Sequence, residues 1–248
     1  METPPRFSIL VYLDESRRPG VSLVFVLPIL LTYEIGVQIM NLGRDEYTVN
    51  AADAILKEAL KQIGFYGSLL SAFCIVLALL FLHMHKRLPW TLRPGTLFGM
   101  LIESLVVALP LFPLGSLVNW ALMASPSWGE IGRMLVLSMG AGIYEEFLFR
   151  LLLLGGFVWV AVRIAGKERR QGAQAVAVLV AALLFSAFHH IGAEGDPFTL
   201  RVFAFRAVAG IYFAWIYLAR GFGIAVGCHT AYDLMVVTLL ALEGEAAL

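Results

Sequence analysis

Tyr144-Glu145-Glu146-Phe147-Leu148-Phe149-Arg150 places three charges in the middle of an apolar run that extends from about Met134 to Ala165. No other stretch restricts the fold as severely. A buried ionised carboxylate is costly unless it is paired, and at the centre of a bilayer each charge costs at least ~2.5–3.5 kcal/mol. On a helix Glu146 and Arg150 are i,i+4 neighbours with the glutamate N-terminal, the better order for an ion pair. Glu145 is turned from Glu146 by about 100°. It need not share that pair, and its partner is to be sought on another apolar segment.

The rest of the composition agrees with a membrane setting. The chain has 248 residues, 60% of them hydrophobic and 15% charged, against roughly 25% charged in soluble domains. These values predict an all-α, polytopic transmembrane helical bundle, because a helix satisfies its own backbone groups inside lipid. Net charge is +0, and no basic tail or cluster suits nucleic acid. Cys74 and Cys228 lie in apolar segments and read as core packing, not as a disulfide framework. The first apolar stretch is too long for the core of a cleavable signal peptide and reads as a retained signal anchor.

Taken in order, Met1 to Gly20 is a polar lead-in with Arg6, Arg17 and Arg18, and a short interfacial helix is expected through Phe7 to Tyr12. Apolar spans are expected over about Val21–Met40, Gly64–Leu82, Thr96–Met123, Ile131–Ala165, Ala173–His190, Thr199–Leu218 and Phe222–Leu242. That makes seven, or eight if Gly155-Gly156 breaks the fourth. The loop from His83 to Arg93 is basic and is assigned to the cytoplasm. The same rule favours one crossing for the fourth span, which puts Lys167, Arg169 and Arg170 on that side. Ala51 to Ile63 has apolar residues near helical spacing and reads as a surface helix. Glu34 and Glu103 lie inside spans, with Arg201 or Arg206 as candidate partners. Trp90, Trp120, Trp128 and Trp215 fall near span ends, where an aromatic belt is expected. The chain divides into a lead-in with N-terminal spans (1–130) and a motif-bearing core (131–242) within a single membrane domain.

Glu145, the Glu146/Arg150 pair, His189 and the His229/Asp233 pair therefore bring polar groups to membrane depth on three spans. His229 and Asp233 are i,i+4 and share a helix face. One wet cavity is the economical way to bury all of them, and such a cavity suits hydrolysis. Glu145 with His189 could deprotonate a water and later protonate a leaving amine. His229 with Asp233 could stabilise an oxyanion or complete a metal site. Cys228 and His229 are adjacent, so they point about 100° apart and make a poor dyad. Two other readings stay open: a non-catalytic immunity or scaffold protein that keeps these residues for packing, and a proton-coupled transporter, for which no internal repeat speaks.

The three motifs together resemble the CAAX prenyl protease and bacteriocin-processing family of intramembrane proteases, also called the Abi family. Its Glu-Glu-x-x-x-Arg, Phe-x-x-x-His and His-x-x-x-Asn patterns are matched by Glu145-Glu146 to Arg150, Phe185 to His189, and His229 to Asp233. The resemblance covers about Ile131 to Leu242. It implies that Glu145 and His189 activate the water, that Glu146 pairs with Arg150, and that His229 with Asp233 stabilises the oxyanion. It also implies either a divalent metal, zinc foremost, on Glu145, His189 and His229, or a metal-free glutamate mechanism. Asp233 departs from the family's asparagine. An ionised aspartate only accepts hydrogen bonds, so Asp233 is protonated, or orients His229, or ligates a metal; the departure favours the metal. The implied substrate is a membrane-anchored protein or peptide precursor cut near its C-terminus or anchor, with prenylated tails ranked low. The implied location is a prokaryotic cytoplasmic membrane, with the N-terminus inside, in contact with the lipid bilayer and not with nucleic acid.

Overall fold

The computed structural model describes residues 8–44, 47–115, 127–192 and 195–246. All regular elements among them are helical. Ser8 accepts the Val11 N–H and starts α1 (Ile9–Glu15). Pro19 opens α2 (Pro19–Met40) at a position where its missing N–H costs nothing. Asn50 caps α3 (Ala51–Gln62) by accepting the Ala52 N–H. Then come α4 (Leu70–His85), α5 (Pro94–Ala108) and, after a turn at Pro110, α6 (Leu111–Gly115). A reciprocal Ser127–Glu130 capping box starts α7 (Trp128–Gly140) by satisfying two orphan donors.

The helix does not stop at Gly140. It widens into π-helical stretches at Ala141–Glu145 and Phe147–Leu154 and runs on as α8 (Gly155–Ala165). Trp128–Ile164 is one continuous apolar helix of 37 residues. Gly155-Gly156 therefore does not divide it, and the eight-span alternative falls. The chain ends with α9 (Arg170–Phe188), α10 (Leu200–Arg220) and α11 (Phe222–Ala246). Among the described residues six helices are long and apolar enough to cross a membrane, and α4, with 16 residues, is a shorter seventh. The protein is a multi-pass helical membrane protein.

Three expectations need correction. The second apolar helix begins at Leu70, not Gly64, because Gly64 (φ 88°) and Gly67 (φ 156°) hold backbone conformations that a helix cannot continue through. His83 belongs to that helix and not to the loop; it is buried, and its Nδ1 accepts the Gly20 N–H at 3.1 Å. The membrane acids also choose other partners. Glu34 accepts from the Tyr144 hydroxyl, Glu103 pairs with Arg220 at 2.5 Å, and Arg206 pairs with Asp196. The expectations involving Arg6, Phe7, Trp120 and Met123 lie outside the described residues.

Helix α11 is the hub, packed against α2, α5, α7 and α10. Its first turns bury Ile224, Ala225, Val226 and Cys228 completely. Gly142 permits the closest approach: a Cβ there would collide with the Thr230 side chain. One end of the bundle is tied by basic side chains. Arg18 reaches Thr91 Oγ1 at 2.7 Å, Arg93 pairs with Glu15, and Arg220 reaches Ser16 Oγ at 2.9 Å. These contacts gather the α1–α2, α4–α5 and α10–α11 connections. The start of α3 and the end of α9 lie at the other ends of the helices that lead away from them.

Candidate active site

The π-helical widening, common where helices carry function, sits at the glutamates. Glu145 and Glu146 are both buried, as is Arg150. Glu146 Oε2 lies 3.2 Å from Arg150 Nε, and Glu146 Oε1 lies 2.9 Å from His229 Nδ1. The Arg150 guanidinium also stands over the Phe185 ring at 4.3 Å and the Phe213 ring at 5.4 Å. Aromatic faces attract a cation, so the buried arginine is held by one carboxylate, two rings and the Gly210 carbonyl, to which it donates at 3.4 Å.

Glu145 faces elsewhere. Its Oε2 is 3.5 Å from His189 Nε2 and 4.0 Å from His229 Nε2. The two imidazoles are oriented from behind. His189 Nδ1 is 2.8 Å from Phe185 O. A carbonyl only accepts, so Nδ1 carries the proton. His229 Nδ1 likewise donates to Glu146, and its ring lies flat on Phe213, with centroids 4.4 Å apart. Asp233 Oδ2 is 3.6 Å from His229 Nε2. The structure thus brings Glu145, His189, His229 and Asp233 to one place, with Glu146 and Arg150 one layer behind. Glu145, His189, Arg206, Phe213, His229 and Asp233 help line a cavity of about 170 Å³. A larger cavity, of about 750 Å³, lies between α2, α5 and α11. Its lining carries no ionisable side chain, so the chemistry belongs to the smaller one.

Among the described residues no group of three His, Cys, Asp or Glu side chains is arranged to hold a metal ion. Cys228 is buried, with its thiol toward Val107 O at 3.4 Å, and His229 turns its Nδ1 to Glu146 instead.

Sequence reasoning did not reach the far side of Glu145. Asn50 Nδ2 lies 3.4 Å from Glu145 Oε1, which leaves Oε2 for the imidazoles. Asn50 is fixed in turn, since its N–H donates to the Tyr33 hydroxyl at 3.0 Å. Tyr33 donates to Asp53 at 2.8 Å, and Asp53 also accepts from Ser71 at 2.5 Å and Lys57 at 2.7 Å. An asparagine before an amphipathic helix reads as an N-cap. It is one here, and that role conceals the contact with Glu145. Asn50→Ser keeps a side-chain cap acceptor but removes the amide donor that faces Glu145. It should leave the melting temperature nearly unchanged while lowering kcat about tenfold or more at constant KM. A kcat equal to wild type would show that Asn50 only caps.

Residues 126–235 match the family model described as Rce1-like, type II CAAX prenyl endopeptidase. No curated protein and no solved structure matches the chain. The matched segment contains all three motifs, with Glu145, Glu146, Arg150, His189, Arg206, His229 and Asp233, while Asn50 and its network lie outside it; over that segment the chain is similar to type II CAAX prenyl endopeptidases.

Proposed function

We propose that this protein hydrolyses a peptide bond near the C-terminus or membrane anchor of a protein or peptide precursor, using a water activated by Glu145 and His189. The observation that carries this reading is the convergence of Glu145 Oε2 and His189 Nε2, 3.5 Å apart. That buried Oε2 accepts no hydrogen bond within the protein. An unsatisfied buried carboxylate oxygen is a cost that a motif kept only for packing would not need, which speaks against the scaffold reading.

A water seated between the two groups would donate one hydrogen to Glu145 and lie against His189. Glu145 takes its proton as the oxygen attacks the scissile carbonyl. His229, with a proton on each nitrogen, would meet Glu146 through Nδ1 and the oxyanion through Nε2. Asp233 then balances the imidazolium and keeps its ring in place. Collapse of the tetrahedral intermediate returns the proton from Glu145, directly or through His189, to the leaving amine. The products are a carboxylate and an amine.

In this reading the side chains themselves activate the water; Glu145, His189 and His229 are equally donors of the kind that zinc takes, and chelation separates the two. Incubation with 1,10-phenanthroline should leave the rate within about twofold, because no metal-held fold or nucleophile is removed. A loss that added zinc reverses would assign the activation to a metal instead.

The basic end of the bundle would face the cytoplasm. His189 ends α9, whose first residue is Arg170 at the basic end, so in this orientation the scissile bond would lie toward the outer side. The test of function follows the masses of C-terminal peptides of membrane proteins in cells carrying wild type, His189→Ala or His229→Ala at matched abundance. A fragment present in wild type and lost in both variants identifies substrate and activity together. Identical peptide sets in all three would return the motifs to packing.

A further inference from the structure

We propose that the basic end of the bundle holds a binding site for one anionic phospholipid. A cavity of about 340 Å³ opens there between α2, α4, α8, α9 and the α10–α11 turn. Arg17, Lys86 and Arg170 line it from three separate parts of the chain, and all three are exposed. Among the described residues their side chains make no hydrogen bond or contact ion pair, and Arg17 meets only the more distant charge of Glu103. Their neighbours at the same end differ: Arg18, Arg93 and Arg220 are neutralised by Asp14, Glu15 and Glu103. Three cations without a contact ion pair thus converge on one cavity, whereas Arg87, Arg163 and Arg169 carry charge outside it.

Three helix starts face the cavity, beside the C-terminal ends of α4 and α10 at Lys86 and Gly221. Pro19, Arg170 and Phe222 each line the cavity and each begin a helix, α2, α9 and α11. Helix starts carry a partial positive charge. The deeper wall is apolar and includes Leu79, Leu82, Leu151, Leu154 and Val158. A free anion has no use for that wall. A phosphodiester that carries acyl chains matches both parts, with phosphate among the cations and chain along the leucines. The cavity also lies where the apolar helices end, at the level of lipid headgroups, and basic pockets at that level select anionic lipids.

The test uses the full-length protein purified in mild detergent and native mass spectrometry with phosphatidylglycerol or phosphatidylcholine added. Wild type should retain phosphatidylglycerol about tenfold better than phosphatidylcholine. The triple variant Arg17→Gln/Lys86→Gln/Arg170→Gln should lose that preference. A control triple, Arg87→Gln/Arg163→Gln/Arg169→Gln, removes the same charge outside the cavity and should keep it. Equal losses in both triples would mean diffuse attraction and overturn the site. So would an equal affinity of wild type for the two lipids. Glycerol 1-phosphate in excess should fail to displace the lipid; full displacement would make this a site for small phosphates and overturn the lipid assignment. If the cavity triple does not fold, the three single variants carry the same comparison, and retained preference in all three overturns the proposal.

Discussion

Glu145→Gln should lower peptide-bond hydrolysis by about a thousandfold, within the range for loss of a general base, while leaving the protein folded. Glutamine keeps the size of the side chain and its contact with Asn50, but it cannot take a proton. The fold should tolerate the change because Glu145 is not the partner of Arg150; Glu146 is. Removing a buried charge that lacks a full set of hydrogen bonds relieves a desolvation cost, so the melting temperature should stay level or rise. Initial rates on the identified substrate, measured beside a thermal melt of the same preparation, decide the matter. More than a tenth of wild-type activity in the variant would remove Glu145 from the chemistry.

Arg150→Met should do the opposite, destabilising first and inactivating as a consequence. The variant leaves Glu146 buried without its cation, and breaking a buried pair in this way costs ~3–5 kcal/mol. It also strips the charge from between Phe185 and Phe213. Membrane abundance should fall several-fold. The double variant Arg150→Met/Glu146→Gln neutralises both partners and should recover most of the abundance. Activity should not return with it, because His229 Nδ1 then faces an amide in place of the carboxylate it meets at 2.9 Å. A single Arg150→Met variant at normal abundance would show that the pair is not what holds this helix in place.

These two variants separate because neighbouring glutamates point different ways, and that divergence was readable from spacing. The i,i+4 interval puts Arg150 on Glu146, and a one-residue step sends Glu145 to another helix. Apolar run lengths were likewise enough to give the helical class. What periodicity does not carry is pairing between spans. Glu103 and Arg220 are 117 residues apart in sequence and meet at 2.5 Å, and nothing local to either residue announces the other. Asn50 was hidden because a cap explains it fully without reference to Glu145. The continuous helix through Gly155-Gly156 was ambiguous for a different reason: a glycine pair permits a break but does not compel one, and the residues on either side already favour helix. The π-helical turns leave no mark on hydrophobic spacing at this scale, since the residues they shift remain apolar.

The short fourth helix has a consequence for the surrounding lipid. At 16 residues, α4 is roughly 24 Å long, against about 30 Å of hydrocarbon in an ordinary bilayer. Its neighbour α3 is amphipathic and polar on much of its exposed surface, so it cannot extend the apolar belt. A span this short is accommodated by local thinning of the bilayer or by its flanking residues, here the exposed Phe65, Tyr66 and Leu69, at a modest cost for each ångström of mismatch. The start of α4 carries Ser71, which with Asp53 braces Tyr33 and, through it, Asn50. The brace that aims Glu145 thus begins on the first turn of the shortest apolar helix, where a change of bilayer thickness would be felt first.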